Sequence, residues 1–268
     1  MQLSVLTWNT LFAGRDGTSR ARADAQIGVI NELSPDVFLM QEAKGFEANG
    51  GAWLYDLEQR IGMRGFLALA PHTGQNVAVF LRAPIRPLTF SSDNTHFHHA
   101  LATLRVEVPG VNKPLTFISA HLCPNGAEVR RREAAYLAVQ ASAEELVLLT
   151  GDFNSASPHD PEPADWTMLA PHHRARYLAD DLVTLDRTVL ARLEAAGWVD
   201  LGREFGSVEP TVPTTAFRET EFATMRCDYL LASAALAKTA CQYEVVRTPV
   251  TDAASDHYPV LARFDFPG

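Results

Sequence analysis

The 268-residue chain is poor in cysteine and has no long apolar run. Its three cysteines, Cys123, Cys227 and Cys241, lie far apart and show no CxxC spacing. That excludes a zinc-finger framework and suits a reducing compartment. No apolar stretch approaches the ~20 residues of a membrane-spanning helix. The opening residues, MQLSVL, carry no basic segment, no long apolar core and no small-residue cleavage site. They read as a first strand and not as a signal peptide, so the expected location is cytoplasmic. Repeats, linkers and low-complexity tracts are missing too. Basic residues are in deficit: 23 Lys and Arg face 32 Asp and Glu, a net charge of -9. This argues against a broad basic surface for duplex nucleic acid. It leaves room for a cleft whose carboxylates hold cations, because such a cleft attracts phosphate locally.

What is present is an ordinary globular composition, 47% hydrophobic and 21% charged. A chain of this length buries a large core unaided. Leu3–Trp8 reads as a strand. Ser19–Leu33 reads as a helix, with Ala23, Ile27, Ile30 and Leu33 near helical spacing and Ser34-Pro35 as its stop. Asp36–Gln41 is a second strand, and Ala52–Ile61 a short helix. Strands dominate from Phe66 to His121, most clearly Asn76–Leu81, Ala100–Val108 and Leu115–His121. Ala127–Ala143 is predicted helical, and Leu146–Thr150 is a strand apolar at every position up to Thr150. Ser155–Asp181 is irregular, Asp186–Ala196 helical, and Cys227–Ala232, Gln242–Val246 and Tyr258–Phe264 are strands. Strand–helix–strand units mixed with runs of strands imply one α/β domain over residues 1–268, two packed sheets with helices outside.

The polar residues are unusual in their placement. Strand after strand ends in a group that binds metal or moves a proton. VLTWN ends at Asn9, DVFLMQE at Glu42, LTFISAH at His121, and LVLLTGDFN at Asp152 and Asn154. RCDYLLA carries Asp228 near a strand start, and SDHYPV sets Asp256 and His257 before the last strand. Each alone is an ordinary turn former or strand cap. One site at one sheet edge accounts for all of them. The oxygen-rich set Asn9, Glu42, Asp152, Asn154 and Asp256 suits Mg²⁺ or Mn²⁺. Histidines beside such a metal bind phosphate oxygens or transfer protons near neutral pH.

These motifs, TWN, MQE, SAH, GDFN, RCDY and SDHYPV, run in one order along nearly the whole chain. In that order the sequence resembles the endonuclease/exonuclease/phosphatase superfamily. The resemblance implies a four-layer α/β sandwich, two mixed sheets flanked by helices, with the site at one end of the sheets. It implies Asn9, Glu42 and Asp256 at a Mg²⁺ site, with Glu42 the principal ligand. Asp152 would orient or deprotonate water, and Asn154 would hold that water or a phosphate oxygen. His257 would contact the scissile phosphate with Asp228 fixing its tautomer, and His121 matches the family's histidine branch. That branch argues against a dedicated abasic-site enzyme. One departure concerns the partner of His121. Deoxyribonuclease-like members use a glutamate there, whereas this chain offers the uncharged Gln75 or Asn76.

The function expected is a Mg²⁺-dependent phosphodiester hydrolase, a nuclease or a nucleotide-level phosphodiesterase. The alternatives are a phosphatase on a small metabolite, inositol phosphate or lipid headgroup, and an inactive phosphate-binding module. No second cofactor and no membrane anchor are expected. Arg130, Arg131 and Arg132 read as a solvated helix face or a phosphate clamp, and His98 and His99 as structural or surface residues. The 155–181 loop reads as a cleft border or a variable excursion. No aromatic-plus-basic ladder stands out along the chain.

Overall fold

Residues 1–218 and 221–266 are described by the computed structural model. In chain order the strands are β1 (Gln2–Asn9), β2 (Val37–Gln41), β3 (Arg64–Ala68), β4 (Val77–Leu81), β5 (Arg86–Asp93), β6 (Leu101–Glu107), β7 (Leu115–His121), β8 (Leu146–Asp152), β9 (Val199–Asp200), β10 (Asp228–Ala232), β11 (Ala240–Val245) and β12 (Val260–Asp265). The helices are α1 (Ala21–Leu33), α2 (Ala52–Ile61), α3 (Ala127–Ala138), α4 (Pro171–Arg174), α5 (Thr188–Ala195), α6 (Leu201–Glu204), α7 (Ala234–Ala237) and α8 (Thr251–Ala254).

The strands form two six-stranded mixed sheets, ordered β11-β12-β1-β2-β4-β3 and β5-β6-β7-β8-β10-β9. Each sheet has one parallel pair at its centre: β1 with β2, and β7 with β8. A parallel pair needs a crossover, and α1 and α3 supply the two. The other pairings are antiparallel.

Side chains alternate between the faces of a strand, so each strand divides into two stripes. One stripe of β1 and β2, Leu3, Val5, Val37 and Leu39, meets Leu115, Phe117, Leu148 and Leu230 of the other sheet in a core between the sheets. The opposite stripe, Leu6, Trp8, Phe38 and Met40, packs under α1 and α2. On the second sheet Ile118, Leu149, Tyr229 and Leu231 pack under α3 and α5. Burial on both faces explains the continuously apolar reading of LVLL. Each fully buried Leu, Val or Phe contributes about 1.5–3 kcal/mol. A smaller cluster around Trp166, Tyr177, Val212 and Phe222 lies beneath the 155–181 region.

Among the longer elements, two differ most from the sequence expectation. Helix α3 stops at Ala138 and not at Ala143. Leu137 is its last core residue, and Val139 is 79% exposed, so nothing anchors a further turn. Strand β5 is exposed along nearly its whole length, and its irregular polarity hides it from pattern reading. Its ladder with β6 creates it, and the irregular register beside Pro87 marks an edge strand.

Candidate active site

The inward stripes of both sheets share a gradient. They are apolar in mid-sandwich, turn to hydroxyl or amide groups, and finish in ionisable or carboxamide groups. Leu3 and Val5 lead to Thr7 and Asn9, and Val37 and Leu39 to Gln41. Leu115 and Phe117 lead to Ser119 and His121, and Leu148 leads through Thr150 to Asp152. The amide of Gln41 donates to Ser119 Oγ at 3.1 Å, joining the sheets just beneath the site. Asn9 pairs with Gln41, and His121 with Asp152, so two parallel pairs end together. Antiparallel β10 begins at Asp228, opposite Asp152. His257 precedes β12, whose end is fixed by Ser255 Oγ donating to Asn9 O at 2.7 Å and Trp8 Nε1 donating to His257 O at 2.8 Å.

All eight sequence candidates lie at this edge. Asn9 is the hub. Its Nδ2 donates to Asp152 Oδ2 at 3.0 Å and Glu42 Oε1 at 3.3 Å, and lies 3.5 Å from His257 Nε2. Its Oδ1 accepts from the Leu11 N–H at 3.1 Å. Asp152 Oδ1 accepts from the Asn154 N–H at 2.8 Å, and Asn154 Nδ2 is tied to Leu122 O at 3.0 Å. The two imidazoles approach Asp152 Oδ2 from either side, His121 Nε2 at 3.4 Å and His257 Nε2 at 3.6 Å. Asp228 Oδ2 sits 2.8 Å from His257 Nδ1. Phe153 turns the other way, fully buried and edge-on to Tyr229. Glu42 and Asn154 both carry left-handed backbone, φ 61° and 46°, a strain that clusters at functional sites.

The charge states divide. Burial and the nearby Asp256 carboxylate push Glu42 up to about 7. Burial also raises Asp256. Two neighbouring carboxylates held up by burial form a site that a divalent cation relieves, so the donor set fits a hard metal. Asp152, Asp228 and His257 also offer ligand atoms within 4.8 Å of one another. Of these, Asp228 Oδ2 is already engaged by His257. Burial disfavours the imidazolium of His257, but Asp228 and Asp152 more than offset it and hold its pKa well above the usual value. His121 goes the other way. Burial and the His257 charge bring it down to about 3. The 3.4 Å contact with Asp152 does not reverse this, because the shared carboxylate is taken by the charged His257.

The expected partner of His121 is not found. Asn76 spends its amide on Ala70 N, Ala43 O and Glu47. Gln75 Oε1 and His121 Nδ1 are both buried without a hydrogen-bond partner. The ring of His99 lies against His121 instead, centroids 4.3 Å apart, and its Nδ1 meets Thr73 Oγ1 at 2.8 Å. Arg130 is neither solvated nor a clamp. It is 1% exposed and ties α3 to Ser155 Oγ, Cys123 O and Arg176 O. Sequence reading offered Arg176 among the basic residues of a loop that could border the cleft, and missed Phe222. Phe222 stands edge-on to His257 at 5.3 Å, and Arg176 stacks over Phe222 at 5.9 Å. The 155–181 region therefore borders the site through Arg176. His159 of the same region points away, to Glu194.

Residues 6–257 match the model of the Endonuclease/Exonuclease/phosphatase family. Compared by sequence with curated proteins, the chain matches none. Solved structures share its fold. An AP endonuclease from Archaeoglobus fulgidus is 19% identical with a TM-score of 0.68, covering 98% of this chain and 100% of that one. TDP2 of D. rerio, complexed with single strand DNA product, is 18% identical with a TM-score of 0.66, covering 99% of each chain. The human nocturnin catalytic domain with bound sulfate is 15% identical with a TM-score of 0.67, covering 99% of this chain and 95% of that one. No described helix is long and apolar enough to cross a membrane. The sheet order, the strand-end cluster and the family match agree: the chain belongs to the Endonuclease/Exonuclease/phosphatase family and is a metal-dependent phosphoesterase.

Proposed function

We propose that the protein hydrolyses phosphodiesters, as a nuclease or nucleotide-level phosphodiesterase, with Mg²⁺ held by Glu42 and Asp256 beside Asn9. The observation that carries this is the convergence of Asn9, His121 and His257 on one oxygen of Asp152. A bound cation would supply charge neutralisation on the phosphoryl oxygens. Asp152 then orients a water and takes its proton. Its other oxygen is fixed by the Asn154 N–H, so the acceptor cannot swing away. His257 keeps its charge through Asp228 and donates from Nε2 to a phosphate oxygen, a charge-assisted bond. His121 stays neutral and donates from Nε2 beside it. Asn154, anchored by its Nδ2, leaves its Oδ1 for the water or a substrate hydroxyl.

The diester reading is favoured over a small-molecule phosphatase by the aromatic and basic border that Phe222 and Arg176 form beside His257. In the D. rerio TDP2 complex the same fold holds a single strand of DNA. The test is a panel of plasmid DNA, single-stranded DNA, RNA, bis-p-nitrophenyl phosphate and inositol phosphates, with Mg²⁺ or Mn²⁺. Glu42→Gln, Asp152→Asn and His257→Ala are each expected to lower turnover by at least ~10². Full activity in EDTA, or in Asp152→Asn, contradicts the mechanism.

A further inference from the structure

Beside Glu42 lies an open groove of ≈ 210 Å³ lined by Phe12, Arg15, Gly17 and Lys44. It is built from two loops, one after β1 and one after β2. Arg15 joins them by donating to Lys44 O at 3.2 Å. Gly45 turns the second loop at φ 79°, a backbone conformation that side chains rarely adopt. The groove is physically continuous with the site, because the Phe12 N–H donates to Glu42 Oε2 at 3.0 Å.

Its chemistry contrasts with the rest of the molecule. Lys44 Nζ sits over the Phe12 ring, 4.3 Å from its centroid, and Arg15 and Arg20 stack on Trp53 at 5.0 and 4.6 Å. Arg20 is paired with Asp56, and Arg22 with Asp16. Among the described residues, Arg15 and Lys44 have no carboxylate partner. In a chain of net charge -9, two unpaired cations beside an exposed ring form a local anion site. The backbone holds the ring out. Leu11, Phe12 and Ala13 are consecutive left-handed residues, φ 44°, 57° and 57°, and Phe12 stays 37% exposed. Such a conformation is disfavoured for three non-glycine residues in a row.

We propose that this groove is a subsite for single-stranded nucleic acid. Lys44 and Arg15 hold the phosphate next to the scissile one, and Phe12 stacks the adjoining base on the ring face opposite Lys44. This rests on the phosphodiesterase reading. A cationic groove with one aromatic face suits an unpaired base, whose face is free. A duplex already stacks its bases and would need a wider basic footprint than this acidic chain has. The sequence hides the arrangement because helix α1 and strand β2 lie between Phe12 and Arg15 on one side and Lys44 and Trp53 on the other.

The experiment compares Lys44→Glu and Phe12→Leu with the wild type on a short poly-dT oligonucleotide and on bis-p-nitrophenyl phosphate. Each substitution is expected to raise KM for the oligonucleotide about tenfold, and Lys44→Glu to flatten its salt dependence. Turnover of the small diester should stay within about twofold in both. Anisotropy of the fluorescent oligonucleotide in EDTA gives binding without catalysis. Groove-dependent binding with no hydrolysis of any substrate would sustain the subsite and sink the phosphodiesterase reading. Hydrolysis of the small diester with oligonucleotide binding unchanged by either variant would do the reverse. Equal losses on both substrates would overturn the subsite, since the residues would then act through Glu42. Weakened binding of inositol hexakisphosphate by Lys44→Glu, with no effect of Phe12→Leu on the oligonucleotide, would assign the groove to small polyphosphates and overturn it as well.

Discussion

Two histidines of one type reach opposite charge states within one site. His257 has Asp228 at its back and retains a proton, while His121 packs against the uncharged His99 ring with its Nδ1 unpartnered and stays neutral. Environments that push two titrating groups apart are the ordinary way to divide acid and base roles. Replacing Asp228 with Asn keeps the shape and removes the charge. We expect kcat to fall by ~10–100-fold with KM little changed. The basic limb of the pH–rate profile should also move to lower pH, because the imidazolium is lost sooner. An unmoved basic limb would show that another group sets it. The Asp–His link was legible from RCDY and SDHYPV. The His99 contact was not, because nothing in the local sequence tells a stacking histidine from a surface one.

At the scale of elements, the site depends on how tightly β7 and β8 lie together. Gly151 precedes Asp152 at φ 138°, and a Cβ there would lie 1.8 Å from the Ala120 carbonyl oxygen. That oxygen belongs to backbone and cannot step aside. Gly151→Ala should therefore cost about 3 kcal/mol in urea unfolding, above the usual range for a surface change. It should also lower turnover, because Asp152 and His121 flank the forced gap. A loss under about 0.5 kcal/mol would mean that the strands separate freely there. The glycine was visible in the GDFN motif. Its steric role needed the register of β8 on β7.

The whole molecule carries this cluster as a stability cost that depends on pH. Glu42 rises from an ordinary 4.5 to about 7, so the folded state binds the extra proton between those values. Stability from this group therefore falls as pH rises from 4.5 to 7. Asp228, raised to about 6 from 3.8, acts with the same sign in a lower window. His121 and His99, lowered to about 3 and about 2 from 6.5, act oppositely and lose stability as pH falls below 6.5. The metal separates the two. With Mg²⁺ held at Glu42 as proposed, binding would displace the Glu42 proton, so its stabilisation should be larger at pH 8 than at pH 5. Thermal melts with Mg²⁺ or EDTA at both pH values check this. Glu42→Gln should flatten the difference, and an equal Mg²⁺ shift at both pH values would remove Glu42 from the metal site.

The sequence by itself determined which residue types end each strand. It thereby determined the family and the eight residues that meet at the sheet edge. This was legible because a buried strand is apolar throughout, so a polar end stands out against it. The tertiary structure decided everything set by contacts between distant segments. It placed Arg130 in the core, put His99 against His121, and set Arg176 and Phe222 at the border of the site. It also brought Phe12 beneath Lys44. Periodicity records the face a residue presents, whereas these partners are fixed by sheet register and loop closure, which only the folded chain contains.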